Sequence, residues 1–152
     1  GWRSGTLYPP QIVWLAKAVE LGLSVMESET QRLTNQRDRL WSGLHAIDGI
    51  QLNGHPTRRL AGNLNISVDG VDGQALLLGL QPHLAVSSGS ACSSAEIAPS
   101  HVLTALGHSD ALAYASIRLG LGRFTTDEDV DRAAEVVMST VQTLRNATRT
   151  MC

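Results

Sequence analysis

At 152 residues, with 43% hydrophobic and 17% charged side chains, the chain has the composition of one globular domain with its own core, which excludes a disordered or fibrous protein. A net charge of −2 excludes the basic balance by which nucleic acid or an anionic membrane is bound. No apolar run approaches the roughly 18 residues of a membrane span, no signal peptide is expected, and two cysteines, Cys92 and Cys152, suit a reducing, cytoplasmic compartment rather than a disulfide framework.

The opening Gly1-Trp2-Arg3-Ser4-Gly5-Thr6 lacks a methionine and a capping signal and reads as a cut into a longer protein. Pro9-Pro10 suit a first helical turn, where a missing N–H costs nothing. Ile12, Leu15, Ala16, Val19, Leu23 and Met26 then follow at the spacing of one helix face, and Leu33, Leu40, Leu44 and Ile47 resume it. Residues 10–47 are expected to form one long or two consecutive helices, ended by Asp48-Gly49. Ile50-Gln51-Leu52 is a short strand candidate, and residues 64–68 alternate apolar and polar, the period of a half-buried strand. Asp72 can cap a short helix over Gly73–Leu80, with Leu76, Leu77 and Leu80 toward the core.

Residues 84–88 read as a strand that runs into a serine-rich loop. Pro99-Ser100 starts a helix of about two turns, residues 114–119 form a last strand, and Thr125 with Glu128 makes a capping box for a final helix striped by Val130, Ala133, Ala134, Val137, Val141 and Leu144. The order predicts a two-layer α+β domain, a small sheet covered by helices.

The chemistry centres on Ser87-Ser88-Gly89-Ser90-Ala91-Cys92-Ser93-Ser94. A structural cysteine normally sits among apolar neighbours, whereas Cys92 lies in a loop too polar to anchor a core. It is either an inert surface thiol or a reacting one. No cation in the loop lowers its pKa, so activation has to come from elsewhere. Arg118 and Arg123 flank a strand end rich in apolar and glycine residues. Each is either a bidentate clamp on a carboxylate or half of a structural ion pair. The five histidines show no metal-ligand spacing. Arg3-Ser4-Gly5-Thr6 is an ordinary capping segment or a phosphate-receiving one. Asn65-Ile66-Ser67 and Asn146-Ala147-Thr148 match the glycosylation triplet and read as chance.

Together, Arg3-Ser4-Gly5-Thr6-Leu7, the Ser87–Ser94 loop, Pro99-Ser100-His101-Val102-Leu103, and Ser116-Ile117-Arg118 through Gly122-Arg123-Phe124-Thr125-Thr126 resemble the C-terminal part of the pyridoxal-phosphate-dependent cysteine desulfurases of the NifS/IscS type, in its long-loop branch. The resemblance runs over essentially the whole chain. It implies the small C-terminal domain of a fold-type I, class V aminotransferase-like enzyme, with residues 1–47 as connecting and long helices and the cofactor-binding large domain outside this sequence.

The implied reaction uses pyridoxal phosphate as electron sink while Cys92 takes the sulfur of L-cysteine as a persulfide and L-alanine leaves. Arg118 then matches the ligand of the substrate carboxylate. Thr6 matches a ligand of the cofactor phosphate in the opposite subunit of a homodimer, and Ser87, Ser88, Gly89, Ser90, Ala91, Ser93 and Ser94 form a delivery arm. The implied partner is a sulfur acceptor such as an iron–sulfur scaffold, with Cys92 itself a candidate cluster ligand.

The family's cofactor lysine lies upstream of the Arg-Ser-Gly-Thr segment, and the only lysine here is Lys17, on the first helix. The isolated chain is therefore expected to be inactive and not to hold the cofactor. The alternatives are a stand-alone persulfide carrier and a non-catalytic interaction module.

Overall fold

The computed structural model describes residues 4–88 and 99–150. Tyr8 precedes a single helix α1 (Pro9–Leu44), with proline in its first turn as expected. The strands β1 (Ile50–Leu52), β2 (Asn63–Val68), β3 (Ser87–Ser88) and β4 (Ser116–Gly120) form one sheet in the order β1-β2-β4-β3. Every neighbouring pair is antiparallel. Three further helices, α2 (Gly73–Leu80), α3 (His101–Ala105) and α4 (Asp110–Tyr114), lie between the strands, and α5 (Asp127–Thr150) closes the described chain. This is the expected α+β layering.

The alternation of β2 sorts its side chains by face. Leu64, Ile66 and Val68 are buried, as are Ile117 and Leu119 of β4. They meet Leu40 and Leu44 of α1, Leu76 and Leu80 of α2, and Val130, Val136, Val137 and Val141 of α5 in one core. Asn65, Ser67, Ser116 and Arg118 stand on the opposite, polar face, because Asn65 pairs with Arg118 and Ser67 with Ser116.

Local chemistry explains most boundaries. The Asp72 carboxylate accepts from the Ala75 N–H at 2.8 Å and starts α2, as expected. Gly49, at φ +69°, turns the chain from α1 into β1. Gly73 meets a different constraint: a Cβ there would collide with the backbone carbonyl of Tyr114, where α2 abuts the end of α4. Gly73→Ala is expected to cost about 2–3 kcal/mol, since overpacking forces the backbone apart. A denaturation midpoint equal to that of the wild type would contradict so close an approach.

Several expectations are corrected. The segment 84–88 pairs only at Ser87 and Ser88. The expected strand 114–119 begins at Ser116, because Tyr114 ends the unforeseen helix α4, which Ser109 caps by accepting from the Leu112 N–H. The capping box of α5 is Thr126 with Asp129, not Thr125 with Glu128. The Thr126 N–H donates to Asp129 Oδ2 at 2.9 Å, and the Asp129 N–H donates to Thr126 Oγ1 at 3.1 Å. Hydrogen bonds from Thr126 hold the Asp129 carboxyl below its ordinary range. That stabilisation is complete above the ordinary aspartate pKa and fades as pH falls through the lowered one.

The largest departure is in α1. Its 36 residues run about 54 Å, but only its C-terminal turns reach the sheet, with Gln36, Arg37, Leu40 and Leu44 buried. The expected apolar face of Ile12, Leu15, Val19, Leu23 and Met26 stands open, as do Val13, Trp14 and Leu21 around the same helix. No helix among the described residues is long and apolar enough to cross a membrane.

Candidate active site

Arg118 sits in the middle of β4, exposed on the polar face of the sheet. Its strand neighbours Ile117 and Leu119 are buried toward the helices, and this alternation turns the guanidinium outward. Asn65 of β2 lies across from it on one side and Ser87 of β3 on the other. Arg118 Nη2 donates to Ser87 Oγ at 3.4 Å, a long hydrogen bond. Among the described residues no carboxylate forms an ion pair with Arg118, whereas Arg32 and Arg37 each have one and Arg39 has two. Arg118 thus presents a fork of donors facing outward beside a hydroxyl.

The sheet under this fork is tied down from α1. Arg32 donates to the carbonyls of Gly122, Arg123 and Thr125 at 3.0–3.1 Å, and Gln36 Nε2 donates to Thr125 O and to Asp127 Oδ1. Glu29 in turn holds Arg32 through two hydrogen bonds, and that arginine keeps the Glu29 carboxyl below its ordinary range. The turn leaving β4 is thereby fixed, with Arg123 itself exposed on it. Arg32 and Gln36 went unnoticed in the sequence, where they read as the polar side of a helix.

The nucleophile candidate Cys92 lies outside the described residues, as do Gly89, Ser90, Ala91, Ser93 and Ser94; Ser87 and Ser88 are inside them. In the sequence Cys92 follows Ser88 by four positions, and Ser88 pairs with Ile117, the neighbour of Arg118 on β4.

The other two candidates are remote. Thr6 precedes α1 and Lys17 lies in its open half, about 35 Å along the helix from Leu40 under the sheet. Lys17 Nζ pairs with Glu20 Oε1 at 3.0 Å on an exposed surface. Such a lysine is neither desolvated nor near Arg118, so the described residues do not fit pyridoxal phosphate: they supply no amine to hold the cofactor. Among the described residues no three histidines, cysteines or acids cluster to hold a metal ion.

Residues 1–133 match the family model described as aminotransferase class-V. The chain is 47% identical over 145 residues to the cysteine desulfurase IscS of Acinetobacter baumannii (strain AYE), covering 95% of this chain and 36% of that protein. It is 46% identical to the protein of the same name from Shewanella denitrificans, with the same coverage.

Among solved structures, a NifS-like protein from Rickettsia africae superposes with a TM-score of 0.79 at 26% identity, covering 92% of this chain and 36% of that one. DndA from Streptomyces lividans does so with a TM-score of 0.56 at 32% identity, covering 78% and 33%. The chain thus spans about 36% of the length of the curated relatives it matches. The sheet, the helices and the matched sequence lead to one conclusion: the chain belongs to the aminotransferase class-V family.

Proposed function

We propose that this chain is the substrate-positioning and sulfur-accepting part of a pyridoxal-phosphate-dependent cysteine desulfurase. The observation that carries the reading is Arg118, turned outward and without a carboxylate partner among the described residues, on the strand beside the one that leads to Cys92. A free guanidinium fork suits the carboxylate of an amino-acid substrate. Its similarity to proteins named cysteine desulfurase supports L-cysteine as that amino acid.

In this reading Arg118 binds the carboxylate and so fixes where the substrate sulfur lies. The Cys92 thiolate attacks that sulfur, an S–S bond forms and the Cβ–S bond breaks. The released electron pair stays with Cβ, which takes up a proton. Enzyme thiol and L-cysteine thus become enzyme persulfide and L-alanine, with no outside oxidant or reductant. The cofactor is held by residues other than these, since Lys17 is committed to an exposed pair with Glu20. Thr6, at the far end of α1, serves the cofactor phosphate of a second subunit, and the persulfide passes to an acceptor protein such as an iron–sulfur scaffold in the cytoplasm.

A stand-alone persulfide carrier would need Cys92 but no carboxylate clamp, and an interaction module would need neither. The test is product balance. The full-length, cofactor-loaded enzyme is expected to release one L-alanine for each sulfur transferred from L-cysteine. Sulfur transfer without alanine would favour the carrier, and neither product would leave only the module.

A further inference from the structure

Four polar residues cross the sheet in one row on its polar face. From the β1 side they are Asn53, Asn65, Arg118 and Ser87, following the strand order β1-β2-β4-β3. Asn53, just past the end of β1, is buried and held at several points. Its N–H donates to Asn65 O at 2.9 Å, and its own carbonyl accepts from Arg59 Nη2 at 2.8 Å. Its side-chain amide donates to Ser67 Oγ at 2.9 Å and to Asn65 Oδ1 at 2.6 Å, while Ser67 Oγ donates back to Asn53 Oδ1 at 3.2 Å. Ser67 is fully buried. Asn53 is therefore a fixed donor, and it fixes its neighbour.

The consequence lies in Asn65. A planar amide whose oxygen is turned toward β1 presents its NH2 to the opposite side, which here is β4. Asn65 and Arg118 are directly opposed in the antiparallel pair, where Cβ atoms stand about 5 Å apart. The middle of the row thus sets an amide NH2 beside a guanidinium, both donors, and the one described hydrogen bond of Arg118 goes the other way, to Ser87 Oγ. Such a pair is complementary to an anion with two acceptor oxygens.

We infer that Asn65 is a second ligand of the substrate carboxylate, donating from Nδ2 next to the Arg118 fork, and that Asn53 is the residue that orients it. The inference rests on the reading of Arg118 as the carboxylate clamp. Asn53 acts through Asn65 and is a positioning residue. The cross-strand network gives the carboxylate a preorganised site, so that little side-chain freedom is lost when substrate binds.

The test is run in the full-length enzyme loaded with pyridoxal phosphate, with L-cysteine as substrate. Asn65→Leu is the decisive variant: it keeps the approximate size of the side chain and removes the amide without adding a charge beside Arg118. KM for L-cysteine is expected to rise at least about tenfold, the weight of a hydrogen bond to a charged group, with kcat within about a factor of two. Asn65→Ala should raise KM similarly. Cysteamine, which is cysteine without its carboxylate, should inhibit the Asn65→Ala and wild-type enzymes with equal Ki. Asn53→Ala should raise KM less, and should add nothing in the Asn65→Ala background.

Arg118→Ala is the control. If it raises KM while both Asn65 variants keep the wild-type value, the inference about Asn65 is overturned and the clamp stands. If Arg118→Ala leaves KM unchanged, the clamp itself is wrong and this inference falls with it. A rise in cysteamine Ki that parallels KM in the Asn65→Ala enzyme would mark a structural role and would also overturn the inference.

Discussion

Cys92→Ser in the full-length, cofactor-loaded enzyme is expected to abolish L-alanine formation from L-cysteine, by at least about a thousandfold, while L-cysteine still binds. The reason is electronic as well as positional. A thiolate is a strong nucleophile toward sulfur, whereas a serine hydroxyl remains protonated at neutral pH and forms no persulfide. Because the reaction stores its product on the attacking atom, no other residue on the arm can take over: Ser87, Ser88, Ser90, Ser93 and Ser94 bring only hydroxyls. The measurement is alanine release set beside a substrate titration of the cofactor spectrum. Loss of turnover with an undisturbed titration is the expected pair of results, and alanine production near the wild-type rate would remove Cys92 from the chemistry.

Arg118→Ala is expected to produce the complementary defect. Removing the fork takes away the charged partner of the substrate carboxylate, and KM should rise on the order of a hundredfold, as when one side of a hydrogen-bonded charge pair is lost. Arg118→Lys should recover only part of this, because an ammonium is a point charge without the planar, two-pronged geometry of guanidinium. Stability should hardly change: Arg118 is exposed, its one described hydrogen bond is 3.4 Å long, and no ion pair depends on it among the described residues. Steady-state kinetics on both variants, with melting curves beside them, decides the matter. A strongly destabilised variant with unchanged KM would mean that Arg118 is a structural residue after all.

How far the sequence carries this account depends on how local each signal is. Asp72 and the α2 that it starts were legible because a cap and its helix lie within a few residues. So were β2 and its inward Leu64, Ile66 and Val68, through alternation alone. The start of α5 was misplaced by one residue because Thr125 and Thr126 both stand three residues before an acid. What separates them is tertiary: the Thr125 hydroxyl accepts from the Gly122 N–H, and its carbonyl is taken by Arg32 and Gln36. Helix α4, five residues long, is too short to show a period.

The open face of α1 has a different cause. Its apolar stripe is real, but the helix extends far past the sheet, so no described residue buries Trp14 and its neighbours. A helix apolar on several sides belongs in an interior, so the pattern reported burial without naming the partner.

The site divides in the same way. Arg118 was legible as a charge set among apolar and glycine residues, and Cys92 as a thiol in a serine-rich loop. The pairing of Ser87 with Arg118 was not, because β3 and β4, separated by 27 residues, meet only through the strand order. Asn65 drew notice only as a polar position of the alternating strand and as part of a glycosylation triplet. Its place between Asn53 and Arg118 exists only once β2 lies between β1 and β4. Thr6 precedes α1 and Lys17 lies in its open half, both at the end of the helix away from the sheet.

The central claim is that Cys92 receives the sulfur of a substrate whose carboxylate Arg118 holds. It is tested most directly by incubating the full-length enzyme with sulfur-isotope-labelled L-cysteine, without an acceptor, and weighing the peptide that carries Cys92. The account predicts one labelled sulfur on that peptide, removed by a thiol reductant, matched by one L-alanine, and strongly reduced at low substrate concentration in the Arg118→Ala enzyme. Labelled sulfur on another residue, or alanine formed while the Cys92 peptide keeps its original mass, would contradict it.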